Sequence, residues 1–485
     1  MASIQPSKSS FLRLQMFGAV AFASLASVTA GAQTAGPLEE VVVTAQKREQ
    51  SLMSVGLAVS VADETEIRDR RINTVTDISL FTPNAAVKEF IPGLMPIITI
   101  RGVGLNDFNA ANNPATGVYI DEVSLSSLAL LSSDFFDLAQ MEVLKGPQGT
   151  VYGRNATAGA LNVMTARPDF SGVSGRLAGG VGNYSSGDLE GMLNVPASDT
   201  LAFRFSGKLI RQDEGFWENS LTGSDVGERD VAMGRAWATW RPSDRTEVSL
   251  KLEAQTADSE LGSPEFFGLL PTAGESNCPG SPGCSNFLGY SDTDGDPFRG
   301  AWSIDPGYEM DQTTTMLLID HDLSFATLRS VTAFIDFDRS YASDVDASPA
   351  RITDFDNADD VQQFSQEFRL EGGDENLIWQ LGLFYSQDEI LTTYAGELQD
   401  LLNTTTFSSA DLEVETLSLF ANGEYALSDT LTLIGGLRVS EEDRSNVSFT
   451  QDLVSLPPAS FLTMAPFGTP PITLASIDDE LSDTS

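Results

Sequence analysis

From about residue 172 onward, oily and wet side chains take turns in segments of ten or more residues, the period-two signature of a sheet whose faces meet different surroundings. In 201–209, Leu201, Phe203, Phe205 and Leu209 share one face, and Arg204, Ser206 and Lys208 share the other. Between 417 and 427, Leu417, Leu419, Ala421, Tyr425 and Leu427 alternate with Ser418, Asn422 and Glu424. Eleven such segments are predicted, near 173–183, 188–196, 200–211, 229–241, 246–258, 311–321, 326–340, 361–371, 377–389, 413–427 and 430–442, and 481–485 reads as the start of a twelfth. Before them, from Leu38 to about Pro168, the pattern is mixed. Short apolar strands at 97–100 and 118–120, a helix-like piece at 74–81 stopped by Pro83, and Gly-rich turns predict a small α+β domain.

The connections between the alternating segments come in two lengths that take turns. Tight polar turns stand at 196–200, 242–245, 322–324, 372–376 and 427–430, and long segments stand between them at 211–228, 260–308, 343–360, 391–411 and 441–479. Short turns at one rim and long loops at the other are the pattern of a transmembrane barrel, whereas a soluble sandwich has no reason to segregate its loops. Unpaired backbone at an open sheet edge costs several kcal/mol per group in lipid. An eleven- or twelve-strand sheet is therefore expected to be an N-terminal piece of a longer barrel.

Composition narrows the chemistry. With 28 Lys+Arg against 69 Asp+Glu, a formal charge of −41 in 485 residues excludes a nucleic-acid partner on electrostatic grounds. One histidine, His321, and two cysteines leave little material for a His/Cys metal site or a His-based triad. Lys8 and Arg13 precede an apolar stretch at 16–28, too short to span a bilayer, and Ala30-Gly31-Ala32 supplies small residues for cleavage, so 1–32 reads as a signal peptide. Beyond it no apolar run reaches 18 residues, so any crossing must be made by strands.

The mixed domain carries the most specific motifs. Leu38-Glu-Glu-Val-Val-Val-Thr-Ala45 is followed by Ile100-Arg-Gly-Val-Gly104, Gly117-Val-Tyr-Ile-Asp121, Met141-Glu-Val-Leu-Lys-Gly-Pro-Gln-Gly-Thr-Val-Tyr-Gly-Arg154 and Gly159-Ala-Leu-Asn-Val-Met-Thr165. In order and spacing this string resembles the plug domain of TonB-dependent outer-membrane receptors. The resemblance implies an α+β plug followed by an antiparallel transmembrane β-barrel, of which about 11–12 of an expected roughly 22 strands are present here. It divides the chain into a signal peptide (1–32), a periplasmic N-terminal segment (33–49), a plug (50–170) and a partial barrel with long extracellular loops (171–485). It implies import of a scarce ligand across the outer membrane of a Gram-negative bacterium, a ferric siderophore first, with cobalamin or a saccharide as alternatives. The partners it implies are TonB with ExbB and ExbD, outer-membrane lipid and a small ferric chelate, with no cofactor and no catalysis.

Site residues follow from the same motifs. Val41, Val42, Val43 and Thr44 form a β-prone run that can add as an edge strand to a partner's sheet, the place of the TonB box in this family; the other reading is a first strand of the plug itself. The plug-motif residues are Arg101, Gly102, Asp121, Gly146, Pro147, Tyr152, Gly153 and Arg154. No Gly-Lys-Ser/Thr follows the glycines, so they are read as turn and packing residues rather than a phosphate loop. A charge inside a filled barrel must be paired or wet, and by resemblance the plug arginines Arg101 and Arg154 face wall glutamates. Glu367 and Glu424, on the polar phase of their strands, are the expected partners. Cys278 and Cys284 bracket a turn-rich spacer in the longest loop, which favours a disulfide over zinc. Asp292, Asp294 and Asp296 depart from EF-hand spacing and read as a solvated acidic loop before a calcium site, and no metal is assigned. A passive porin is the alternative function, disfavoured by the plug. A secreted hydrolase is the remaining one, with no pair of carboxylates singled out.

Overall fold

The protein is described by a computed structural model covering residues 42–484, apart from 49, 90, 92–93, 106–108, 132–133, 273–276, 280–282, 429 and 454–471. The signal-peptide segment and Val41 lie outside the described residues.

A twelve-stranded antiparallel sheet holds the C-terminal two thirds, its strands paired strictly in chain order. Its first to twelfth wall strands are Ser174–Val181, Ser186–Ser198, Leu201–Gln212, Arg229–Ser243, Thr246–Ser259, Tyr308–Asp322, Thr327–Asp344, Asp354–Gly373, Leu377–Leu398, Thr404–Ser428, Leu431–Asp452 and Ile472–Thr484. Among the described residues no ladder joins the first strand to the last. The tight turns fall where the alternation ends: Ser198 faces Leu201, Ser243 faces Thr246, and Asp322 faces Thr327. The long connections 213–228 and 260–307 leave the opposite rim.

The expected loop 391–411 is mostly strand, and half of the expected loop 343–360 is strand as well. The eighth, ninth and tenth wall strands run 20, 22 and 25 residues, about twice the 9–11 that cross a bilayer. The ladder of the ninth and tenth continues unbroken to Leu398 opposite Thr404, closed by the single helical turn Gln399–Leu402. β-branched Thr392, Thr393, Thr405 and Thr406 favour extended backbone there. Polar side chains stand on both faces of these extensions, so the oily and wet alternation that betrays the lower strand halves is lost. The twelfth strand likewise begins at Ile472 rather than near 481.

The two faces of the sheet are inverted relative to a soluble protein. Phe205, Leu209, Leu250 and Leu252 are exposed, Phe205 by 48%, while their neighbours Arg204, Lys208 and Lys251 are buried, Lys251 to 2%. Apolar outside and charged inside is the arrangement of a wall facing lipid and enclosing a filled lumen. No described helix is long and apolar enough to cross a membrane.

What fills the inner side is the N-terminal domain. Its five-stranded sheet runs, in spatial order, Ala58–Asp63, Leu138–Lys145, Gly159–Thr165, Thr116–Ile120 and Val123–Ser124, with the Gly159–Thr165 and Thr116–Ile120 pair parallel. A hairpin, Ala85–Glu89 with Pro96–Ile100, stands beside it. The helix-like piece is the 3₁₀ turn Val75–Leu80, capped reciprocally by Thr74 and Asp77. Gly159 stands where a Cβ would overlap the Leu144 carbonyl, so the two central strands approach as only glycine allows. The domain's core, with Ile78, Ile100, Met141 and Leu161, is continuous with Met233, Trp237, Met316 and Phe337 of the wall. Nine successive strands at about 4.8 Å spacing would span roughly 40 Å if flat. Side chains from the third to the eleventh nevertheless reach this one small domain, so the sheet curves around it.

Candidate functional site

The N-terminal segment is docked rather than free. Val42–Val43 pairs antiparallel with Gln50–Ser51, and Val43 and Ala45 are fully buried among Tyr119, Leu144, Tyr152 and Ala160. The Thr44 N–H donates to Glu142 Oε1 at 2.6 Å, and Gln140 Nε2 donates to the same oxygen at 2.8 Å. Burial lifts the Glu142 carboxyl above its usual range against these donors. Lys47 reaches Glu367 Oε2 at 2.7 Å over the rings of Tyr119 and Tyr152, and Arg48 pairs with Glu424. Burial lowers the Lys47 ammonium from its ordinary value despite Glu367 beside it.

The two nominated wall glutamates therefore meet inner-domain cations, but not the arginines expected. Arg154 binds Asp388 and lies 3.4 Å from Glu442. The register explains the correction. Glu367 stands opposite Phe384, and Asp388 is four residues further toward the long-loop rim, about 13 Å along the strand. Arg154 projects at that higher level, while Lys47 and Arg48 occupy the lower one. Arg101 sits exposed on a turn at φ 53°, its guanidinium beside Gly146, and makes no ion pair among the described residues. Gly102, Gly146 and Gly153 all have positive φ, and a Cβ on Gly153 would come within 2.7 Å of the Arg438 guanidinium. Tyr152 is buried and accepts from Asn162 Nδ2 at 2.6 Å. Pro147 borders the opening between this turn and the wall.

The first half of the wall has the opposite polarity, which the motifs did not reveal. Here the wall carries the cations and the inner domain the acids. Lys251 meets Asp121 at 2.8 Å, Arg204 meets Asp137 at 2.6 Å, Arg229 meets Asp134 at 2.6 Å, and Arg329 meets Glu122 at 3.0 Å. Arg369 joins Glu122 from the other side and also holds Glu367 at 2.7 Å. The eighth wall strand is thus the point where the polarity reverses. Burial alone would raise Asp121, but Lys251, Arg167 and Arg235 hold it down at about 2; Arg369 and Arg329 do the same for buried Glu122, also about 2. Asp121 is fixed further by Thr165, whose N–H donates at 2.9 Å. The available signal was the run of basic residues on the polar phase of the third to eighth strands.

Toward the long-loop rim, a cavity of about 290 Å³ opens between the two parts, with Phe216, Trp217, Tyr308, Arg229 and Glu260 in its lining. Cys278 and Cys284 form a disulfide in the 260–307 loop. Asp292 is half-buried and Asp296 exposed, and both accept from backbone N–H groups of their own loop, as does Asp294, which also lies 3.5 Å from Arg299.

Residues 51–160 match the profile of the TonB-dependent Receptor Plug Domain, and 239–461 match that of the TonB dependent receptor-like beta-barrel. The chain belongs to the TonB-dependent receptor family. The inner domain is its plug and the twelve-stranded sheet is barrel wall. The family consists of transporters rather than enzymes. Among curated relatives, the pesticin receptor of Yersinia pestis is 32% identical over 221 residues, which is 44% of this chain and 32% of that protein. The catecholate siderophore receptor Fiu of Escherichia coli K12 is 29% identical over 149 residues, 30% of this chain and 18% of the relative. The chain thus matches about a third or less of the length of these relatives. Of solved structures, the ferric yersiniabactin uptake receptor FyuA from Yersinia pestis superposes with a TM-score of 0.69 at 20% identity, covering 88% of this chain and 60% of that one. The open form of Fiu gives 0.65 at 16% identity, covering 92% and 69%. These likenesses place the fold.

Proposed function

We propose that this chain supplies the plug and part of the wall of a receptor that imports a ferric siderophore across the outer membrane of a Gram-negative bacterium. The observation that carries the reading is the plug held in the wall by buried ion pairs of both polarities, which occludes the lumen and disfavours a passive pore. A plug so anchored must be moved by work, and TonB, energised by ExbB and ExbD, is the partner the reading assigns. Val41, Val42, Val43 and Thr44 are the assigned contact: a short β-prone run can leave Gln50–Ser51 and pair with a strand of TonB by the same main-chain bonds. The names of the relatives, a pesticin receptor and a catecholate siderophore receptor, support iron chelates as the cargo class. The cavity beside Phe216 and Trp217 has aromatic faces suited to an aromatic chelator.

The test is uptake of radioactive iron bound to catecholate or phenolate siderophores in iron-starved cells. Deleting the gene should abolish uptake of one chelate, as should deleting tonB. Uptake that persists without TonB would overturn the energised mechanism, and unchanged uptake of every iron chelate on gene deletion would overturn the cargo class.

A further inference from the structure

At the long-loop rim, three carboxylates converge that the plug and wall pairing leaves unused. Asp344 ends the seventh wall strand, Asp346 lies on the loop 345–353, and Asp354 opens the eighth. One oxygen from each lies within 4.8 Å of the others. Asp344 and Asp354 are each 2% exposed. Their surroundings orient them without neutralising them. Asp344 accepts from the N–H groups of Ser303 and Ala347, both at 2.8 Å. Asp346 accepts from the Thr353 N–H at 2.8 Å and from the Ser348 hydroxyl. Asp354 Oδ2 accepts from Ser303 Oγ at 2.5 Å, but its Oδ1 is buried with no hydrogen-bond partner among the described residues. The cation of this loop, Arg351, is exposed and engaged with Glu397 at 2.8 Å. Two buried carboxylates and a half-buried third, with one oxygen left unpartnered, are unstable as they stand, and a bound cation resolves both defects.

We propose that Asp344, Asp346 and Asp354 form a calcium site that ties the hairpin 344–354 to Ser303 of the 260–307 loop. An all-oxygen, all-carboxylate set selects a hard divalent ion over zinc or copper. Magnesium dehydrates reluctantly and is usually held by one or two carboxylates with its own waters, so a set of three protein carboxylates favours calcium. Occupation joins three segments distant in sequence, because Ser303 already bonds Asp344 and Asp354, while Asn219 Nδ2 holds the neighbouring Trp302 carbonyl at 3.0 Å. The ion would order this loop cluster at the long-loop rim. The site stands on its own geometry and holds whichever cargo the receptor carries.

The experiment uses the intact gene product in detergent micelles, stripped with a chelator. Calcium chloride is titrated by calorimetry, and terbium emission is excited through Trp302, adjacent to Ser303. One saturable calcium site is expected, with magnesium a poor competitor. Asp354→Asn and Asp346→Asn should each weaken it at least about tenfold, with exposed Asp296→Asn unchanged, and calcium should slow tryptic cleavage after Arg351. Absence of calcium binding in the unmutated protein overturns the proposal whatever the variants do. So does an unchanged affinity in folded Asp346→Asn or Asp354→Asn protein, or an equal affinity for magnesium.

Discussion

Lys251 on the fifth wall strand holds Asp121 of the plug at 2.8 Å, with side chains only 3% and 1% exposed. Such a pair is costly to break from one side, because the survivor remains as an uncompensated buried charge, at about 3–5 kcal/mol. Lys251→Met should therefore loosen the plug sheet by that order. Adding Asp121→Asn should restore most of the loss. Hydrogen exchange in Thr116–Ile120 and Gly159–Thr165 measures both, and equal protection in the single and double variants would contradict the pairing.

The same carboxylates set an acid limit. Asp121 and Glu122 are held at about 2 against ordinary values of 3.8 and 4.5. Groups depressed in the folded state contribute fully above their unfolded values and lose that contribution as pH falls through the folded ones. Plug protection should be level above about pH 4.5 and decline between there and about pH 2. For Asp121 the loss is about 2 kcal/mol. Exchange rates at constant ionic strength check it.

Arg154 offers a choice between two wall carboxylates. A double-mutant cycle of Arg154→Ala with Asp388→Ala should show coupling of about 1–3 kcal/mol, whereas Arg154→Ala with Glu367→Ala should add within about 0.5 kcal/mol. Plug stability in denaturant provides the readout. Strong coupling to Glu367 would contradict the level at which Arg154 meets the eighth and ninth wall strands.

Glu142 is the acceptor that keeps the 42–48 segment against the plug. Glu142→Ala removes the carboxylate that Thr44 and Gln140 bond, leaving the Thr44 N–H unpaired at a cost of about 1–3 kcal/mol. The segment should open more often, read as faster tryptic cleavage after Lys47 and stronger capture by the periplasmic domain of TonB. Added Val42→Pro should abolish the gain in capture, because proline cannot donate to a partner strand. Capture unchanged by both would remove this segment as the contact.

Much of the architecture is legible in the chain itself. The alternation locates eleven wall strands, the first seven within four residues at either end, because lipid on one side and a polar interior on the other impose a period of two on side-chain chemistry. The tight turns and the 213–228 and 260–307 connections can be read from polar clusters for the same reason. The motif string between 38 and 165 announces the plug. The upper halves of the eighth to tenth strands are illegible, since polar side chains on both faces remove the pattern.

Tertiary structure alone decides which charges meet. Every strand shows its polar phase, so Glu367, Glu424 and Asp388 are equally visible as lumenal. Yet a four-residue difference in level gives Arg154 to Asp388 and leaves Glu367 to Lys47. The reversal of polarity at the eighth strand and the convergence of Asp344, Asp346 and Asp354 belong to the same category. Hydrophobic patterning is a local property written residue by residue, whereas the partner of a buried charge depends on register, curvature and the seating of one domain inside another.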